Sequence, residues 1–224
     1  MDLIYLCSPN NPTGAVYAES VLREINALCL DREIYHLTDE AYEYFVDDST
    51  RHFSPGSIPN SQSHTISLYS LSKAYGFAGW RIGYLVAPSE LQESLEKIQD
   101  TNVICPSNPS QFAALGALEA GKEYCRPFIE QLNQTRRIVL DALSGLSDRV
   151  ELVETTGALY FLLRFRDRNI DDMELVRSLI EKYRVALIPG RAFGVRRACC
   201  LRLSYGALPP EKVTEGLGLS LIHI

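Results

Sequence analysis

Ser67-Leu68-Tyr69-Ser70-Leu71-Ser72-Lys73-Ala74-Tyr75-Gly76 follows Thr65-Ile66 and runs on to Gly79-Trp80-Arg81-Ile82-Gly83-Tyr84. Alternation and a β-branched start predict a strand over Thr65–Tyr69. The small and hydroxyl residues after it predict a loop. Lys73 stands in that loop rather than on a charged helical face. Ser-x-x-Lys occurs in several enzyme classes. The serine acyl-transfer type also needs Ser-Asp-Asn and Lys-Thr-Gly, and this chain has neither.

Outward from this stretch, strands and helices alternate, which predicts an α/β fold. Arg81–Ala87 reads as the next strand. Upstream, Ile34–Thr38 reads as a strand ending at Asp39, and Leu3–Cys7 as a buried strand running into a loop. Val21, Leu22, Ile25, Leu28 and Cys29 recur at helical spacing, so a helix is expected over roughly 19–32. Ser89 reads as an N-cap, with Gln92 completing a capping box.

Pro106 to Pro109 forms a breaker-rich joint. Helices are expected over roughly 110–120, 123–144 and 171–184, and from Pro209, with Pro210 in the first turn of the last. Strands are expected near 150–154, 159–165, 185–188 and 199–204. A domain boundary therefore falls between 106 and 145, and the division expected is 1–125 and 126–224.

Composition narrows the function classes. The 224 residues hold 22 Lys plus Arg and 28 Asp plus Glu, a net charge of −6. A mildly acidic chain without a basic block is a poor fit to nucleic-acid binding. No apolar run approaches the ~18 residues that span a bilayer, and no basic segment precedes the first apolar run as in a signal peptide. The six cysteines, at 7, 29, 105, 125, 199 and 200, form no Cys-x-x-Cys and have no histidine at metal-ligand spacing. Buried thiols in a reducing cytoplasm are expected, with no metal site.

Three clusters follow predicted strands, where ligands of open α/β sheets bind. Ser8-Pro9-Asn10-Asn11-Pro12-Thr13-Gly14 presents amides on a rigid turn, or is a turn and nothing more. Thr38-Asp39-Glu40-Ala41-Tyr42 can set a carboxylate and a phenol over one pocket. Alternatively Asp39 caps a helix whose core face carries Tyr42. The third is the lysine loop itself. Arg164, Arg166 and Arg168 read as solvated, Trp80 as packing, and His36, His52, His64 and His223 as without a partner pattern. Tyr160 follows Gly157-Ala158 and receives no assignment.

Asn-Pro-Thr-Gly, Asp-x-x-Tyr and Ser-x-x-Lys with an arginine eight residues on are followed by Pro189-Gly190-x-x-Phe193-Gly194 and Arg202-Leu203-Ser204-Tyr205-Gly206. In that order they resemble the class I/II aminotransferases, pyridoxal-phosphate enzymes of the aspartate aminotransferase fold type. The resemblance runs from residue 3 to about 215. It implies fold type I: part of a mostly parallel-sheet large domain plus an α+β small domain. It implies Lys73 as the Schiff-base lysine and proton carrier, and Asp39 as the partner of the ring nitrogen. It implies Asn11 and Tyr42 on the ring oxygen, and Ser70 and Arg81 on the phosphate. Arg202, with Asn11, is implied for the substrate carboxylate.

The implied partners are an amino acid, a 2-oxo acid and a second copy in a homodimer, in the cytoplasm. A carbon–sulfur β-lyase of the same fold, an aminotransferase-like sensor domain of a transcription regulator and an inactive fragment stay open as alternatives. The chain opens on a strand ending in a dense polar loop, and its last residues, Leu219 to Ile224, are apolar. It therefore reads as a C-terminal portion lacking an N-terminal half. An incomplete parallel sheet with an open edge and an uncovered face is expected, with low stability.

Overall fold

Three strands form close to where the sequence predicts them: β1 (Leu3–Cys7), β2 (Tyr35–Asp39) and β3 (Thr65–Ser70). Parallel neighbours need a crossover, and α1 (Glu19–Asp31) lies between β1 and β2 in the chain. The computed structural model describes residues 2–153, 155–167 and 169–221. Arg168, His223 and the apolar end at Ile222–Ile224 lie outside the described residues. The chain divides into two units, Met1–Asn10 with Val16–Ile129 and Asn11–Ala15 with Glu130–Ile224.

In the first unit β4 (Gly83–Val86) pairs antiparallel with β3, and the sheet order is β1-β2-β3-β4. The strand expected over Arg81–Ala87 is shorter because Arg81 sits at φ 54°, in the left-handed region where an extended chain cannot continue. Gly83 begins the strand where a Cβ would come within 2.6 Å of the Tyr69 carbonyl oxygen.

β1 is not the buried strand expected. Leu3 and Tyr5 are about half exposed, because β1 is an outer strand of the described sheet. All four residues of β4, the other outer strand, are exposed as well. The face that α1 covers is polar. Asn26 donates to His36 Nδ1 at 3.1 Å and to Thr65 Oγ1 at 2.8 Å, and its Oδ1 lies 3.1 Å from His64 Nε2. All four of these residues are buried.

The capping box at Ser89 is absent. Ser89–Leu91 makes a 3₁₀ turn, so α2 (Gln92–Asn102) starts a turn later, with Leu91 at its N-cap position. The two helices expected between 110 and 144 are parts of α3 (Asn108–Ser144), interrupted at Gly121 with φ 66° and ψ −161°. Trp80 is 48% exposed and so is not a core residue.

The second unit holds an antiparallel sheet of order β5-β6-β8-β7. Its strands are β5 (Val150–Leu152), β6 (Tyr160–Phe165), β7 (Ile188–Pro189) and β8 (Cys200–Ser204). α4 (Asp172–Tyr183) is capped by Asp171, whose carboxylate accepts from the backbone N–H groups of Met173 and Glu174. α5 (Pro210–Leu221) closes the described chain, with Pro210 opening it as expected. Phe161, Leu163, Leu179, Leu201, Leu203 and Val139 pack in one core. Each such side chain contributes about 1.5–3 kcal/mol by leaving water.

The Asn11–Ala15 segment is part of this unit. Gly14, at φ 74°, accepts a bond on its carbonyl from Gly157 N at 2.9 Å. A Cβ there would meet Thr155 Oγ1 at 2.1 Å.

All six cysteines are free, Cys105 exposed and the rest buried. Among the described residues, no helix is long and apolar enough to cross a membrane. Nor does any group of three or more His, Cys, Asp and Glu residues lie where it could hold a metal ion.

Burial lowers the His36 pKa from 6.5, with His64 adding to the effect and Glu40 opposing it. The folded chain therefore binds this proton less tightly than the unfolded chain. The resulting stability is present above about 6.5 and is lost as pH falls through the lower folded value. His36→Asn, which loses a buried contact at every pH, is expected to be less destabilising at pH 5 than at pH 7.5. The expected narrowing is about 1.4 kcal/mol per unit of displacement. Urea denaturation at the two pH values measures it, and an unchanged gap counts against the account.

Candidate functional site

The parallel register sets Cys7 opposite Asp39, and Asp39 opposite Leu68. The last residues of β1 and β2 thus lie level with Leu68, and β3 runs on past them to Ser70. Because β4 is antiparallel, its first residue, Gly83, pairs with Ser70 at that same end. Asp39, Ser70 and the loops carrying Tyr42, Lys73 and Arg81 are thereby gathered at one end of the sheet.

Asp39 is half-buried and does not cap a helix, since residues 41–44 form a turn. Its Oδ1 accepts from Ala41 N at 3.1 Å and its Oδ2 from the Tyr5 hydroxyl at 3.0 Å. Partial burial, then the Asp39 carboxylate, raise the Tyr5 pKa, so Tyr5 remains the donor. Tyr42 is buried. Lys73 Nζ lies 5.6 Å from the centroid of the Tyr42 ring, a cation–π contact. Lys73 itself is exposed, and its carbonyl accepts from Gly76 N at 3.1 Å in a tight turn. Ser70 Oγ accepts from Ser72 N at 3.2 Å. Arg81 is exposed and donates from Nη1 to the Ala78 carbonyl at 2.9 Å. It lines a cavity of about 470 Å³ with Gly79, Trp80, Val103, Cys105 and Ser107.

The remaining two predicted residues meet in the second unit. Arg202 Nη1 donates to Asn11 Oδ1 at 2.7 Å. The Arg202 guanidinium lies 4.8 Å from the centroid of the Tyr160 ring and 4.8 Å from that of Phe193. Asn11 and Tyr42, expected to share one task, belong to different units.

Over most of its length the chain matches known proteins. It matches the family described as aminotransferase class I and II over residues 1–218. The chain belongs to that family. It is 36% identical to a probable aspartate/prephenate aminotransferase of Aquifex aeolicus, across 96% of this chain and 55% of that protein. It is 32% identical to aromatic-amino-acid aminotransferase 2 of Thermococcus litoralis, across 94% of this chain and 54% of that protein. The crystal structure of the aromatic aminotransferase from Pyrococcus horikoshii superposes with a TM-score of 0.89 at 31% identity, across 98% of this chain and 58% of that one. Thermus thermophilus aspartate aminotransferase with maleate gives a TM-score of 0.88 at 30% identity, across 97% and 56%. The chain therefore spans about half the length of the relatives it matches, and its fold is the fold type I of this pyridoxal-phosphate-dependent family.

Several polar residues at this end of the sheet escaped the sequence reading. Glu40 is fully buried and accepts from Ser54 Oγ at 2.8 Å, and lies 2.8 Å from His52 Nε2. The Tyr69 hydroxyl donates to the same carboxylate at 3.4 Å. The available signal was His36, Thr38 and Glu40 at every second position along β2 and just past its end. Buried polar residues are expected to find partners; His36 Nδ1 and Glu40 do, whereas Thr38 Oγ1 has none among the described residues. His52 therefore has a definite partner. Among the arginines read as solvated, Arg164 is exposed beside Glu151, and Arg166 is exposed with Nε on the Ser147 carbonyl.

Glu43 follows Tyr42. Burial pushes its carboxyl from 4.5 up to about 7, with Glu40 adding to the rise and His52 and Lys122 opposing it. Its folded value exceeds its unfolded one. The stability it contributes is full below about 4.5 and is lost as pH rises through about 7. Glu43→Gln is expected to gain stability relative to the parent chain between pH 4 and pH 8, on the order of 1–2 kcal/mol after allowance for partial exposure. Denaturant midpoints at the two pH values check this, and a difference independent of pH would refute it.

Proposed function

We propose that the chain is part of an aminotransferase that moves an amino group between an L-amino acid and a 2-oxo acid, with pyridoxal 5′-phosphate as its cofactor. One observation carries the reading: the register gathers Asp39, Tyr42, Ser70 and Lys73 at one sheet end, with Lys73 Nζ 5.6 Å from the Tyr42 ring centroid. The donor set fits an aldehyde-bearing pyridine phosphate. It offers an exposed primary amine, a half-buried carboxylate, a phenol, a hydroxyl and an exposed guanidinium.

When bound, the cofactor supplies an electron sink next to the substrate α-carbon. Lys73 would hold the cofactor through its amine, and its Nζ would be the group that takes and returns the substrate α-carbon proton. Asp39 would offer its carboxylate to a protonated ring nitrogen. Tyr42 would offer a hydrogen bond to the ring oxygen, the role that the family resemblance also implies for Asn11. Ser70 and Arg81 would hold the phosphate, and Arg can do so bidentately. Arg202, steadied by Asn11, forks onto the substrate carboxylate.

In this reading the first unit is part of the cofactor-binding large domain and the second is the small domain. The assembly is a homodimer, and the compartment is the cytoplasm, where the free thiols stay reduced.

Incubation with pyridoxal phosphate, borohydride reduction and peptide mass mapping test the reading without turnover. A reduced adduct is expected on Lys73, and Lys73→Ala is expected to lose it with the remaining lysines unlabelled. Equal labelling of the variant chain would overturn the assignment of Lys73.

A further inference from the structure

Arg202 occupies the strand between two others. Across the ladder from it stand Leu162 of β6 on one side and Ile188 of β7 on the other. Each neighbouring strand brings a ring to it. Tyr160 is two residues along β6 from Leu162, on the same pleat face. Phe193 closes the 3₁₀ turn Gly190–Phe193 that follows β7. The guanidinium lies 4.8 Å from each ring centroid.

Its hydrogen bonding is sparse by comparison. Nη1 reaches only the neutral amide oxygen of Asn11, and Nε is buried without a partner among the described residues. Among those residues no carboxylate lies within ion-pair distance of Arg202, whereas Arg191 has both Asp171 and Asp172. Arg202 is therefore held between two ring contacts and one amide, and among the described residues its charge has no carboxylate partner.

We infer that Tyr160 and Phe193 are positioning residues that hold Arg202 as a preformed carboxylate fork. The rings fix the guanidinium plane, and Asn11 fixes its rotation within that plane. Nη2 and the second Nη1 hydrogen remain for an incoming carboxylate. A free arginine side chain loses rotamer freedom when it binds, and a clamped one has lost it beforehand. The inference rests on the reading of Arg202 as the carboxylate binder and adds what makes that arginine effective.

Arginine-detected NMR on the 224-residue chain separates the two ideas. Rotation about the Arg202 Nε–Cζ bond is read from exchange between its Nη signals, with Arg191 as internal reference. The parent chain is expected to rotate slowly. Phe193→Leu is expected to speed rotation about tenfold and leave Arg191 unchanged, and Phe193→Tyr to restore the slow rate. Titration with maleate, a rigid dicarboxylate, is expected to shift the Arg202 signals saturably. Its Kd is expected to rise about tenfold in Phe193→Leu and to recover in Phe193→Tyr.

Unchanged rotation in Phe193→Leu overturns the clamp, as does faster rotation with unchanged maleate affinity. Arg202 signals in the parent chain that ignore maleate overturn the carboxylate reading, while the rotation rates still judge the clamp. If Phe193→Leu loses its thermal transition, Phe193→Met, closer in volume, makes the same comparison.

Discussion

Backbone hydrogen bonds between β1, β2 and β3 put Cys7, Asp39 and Leu68 level, and the first unit's chemistry depends on that alignment. The side-chain period of a strand is two, so a slip of one residue would turn Asp39 to the α1 face and Glu40 away from it. The slip is resisted from both faces. On one, Tyr5 bonds Asp39 across the β1–β2 pair. On the other, Asn26 ties His36 to Thr65 across the β2–β3 pair. Each bond requires its own pairing to stay in register.

The polar content of the first unit's interior follows from the same requirement. Apolar side chains would pack almost as well in several registers, whereas a buried amide or carboxylate is satisfied in only one. Leaving such a group unpaired costs about 1–3 kcal/mol. Glu40, held by Ser54 and beside His52, ties the end of β2 to the chain beyond it. Asp39 and Tyr42 are then displayed from a segment anchored at Glu40, rather than from a loose loop.

What could be read from the residues divides by range. Strand ends and the loops after them are local, so the positions of Asp39, Ser70 and Lys73 at or just past strand ends were legible, as were most element boundaries. Ser89 misled because a 3₁₀ turn and an α-helical turn want the same residues near their starts, and sequence alone does not say which comes first. The buried strand expected at Leu3–Cys7 rested on an apolar run, but a run says nothing about how many neighbours a strand has. Glu40 with His52, and Arg202 with Tyr160 and Phe193, were illegible for a different reason. His52 and Phe193 are separated from their partners by a loop or strand, Tyr160 by a longer stretch, and no period relates any of them. Only the fold brings an isolated histidine or ring to the charge it serves.

The second unit offers an internal contrast that gives its arginines separate meanings. Arg136 and Arg202 both lie against rings, Arg136 at 4.9 Å from the Phe161 centroid. Arg136 is buried and spends its donors on the Tyr205 hydroxyl at 3.2 Å and on the Thr155 carbonyl. Thr155 flanks the stretch where Gly157 N meets the Gly14 carbonyl, so Arg136 braces the backbone that receives the Asn11–Ala15 segment. Arg202 meets that segment directly, through Asn11. One arginine is buried and bonded to the chain itself. The other is held by faces and one amide, with an edge left over. A planar, permanently charged group held in this way suits the carboxylate-binding role proposed for it.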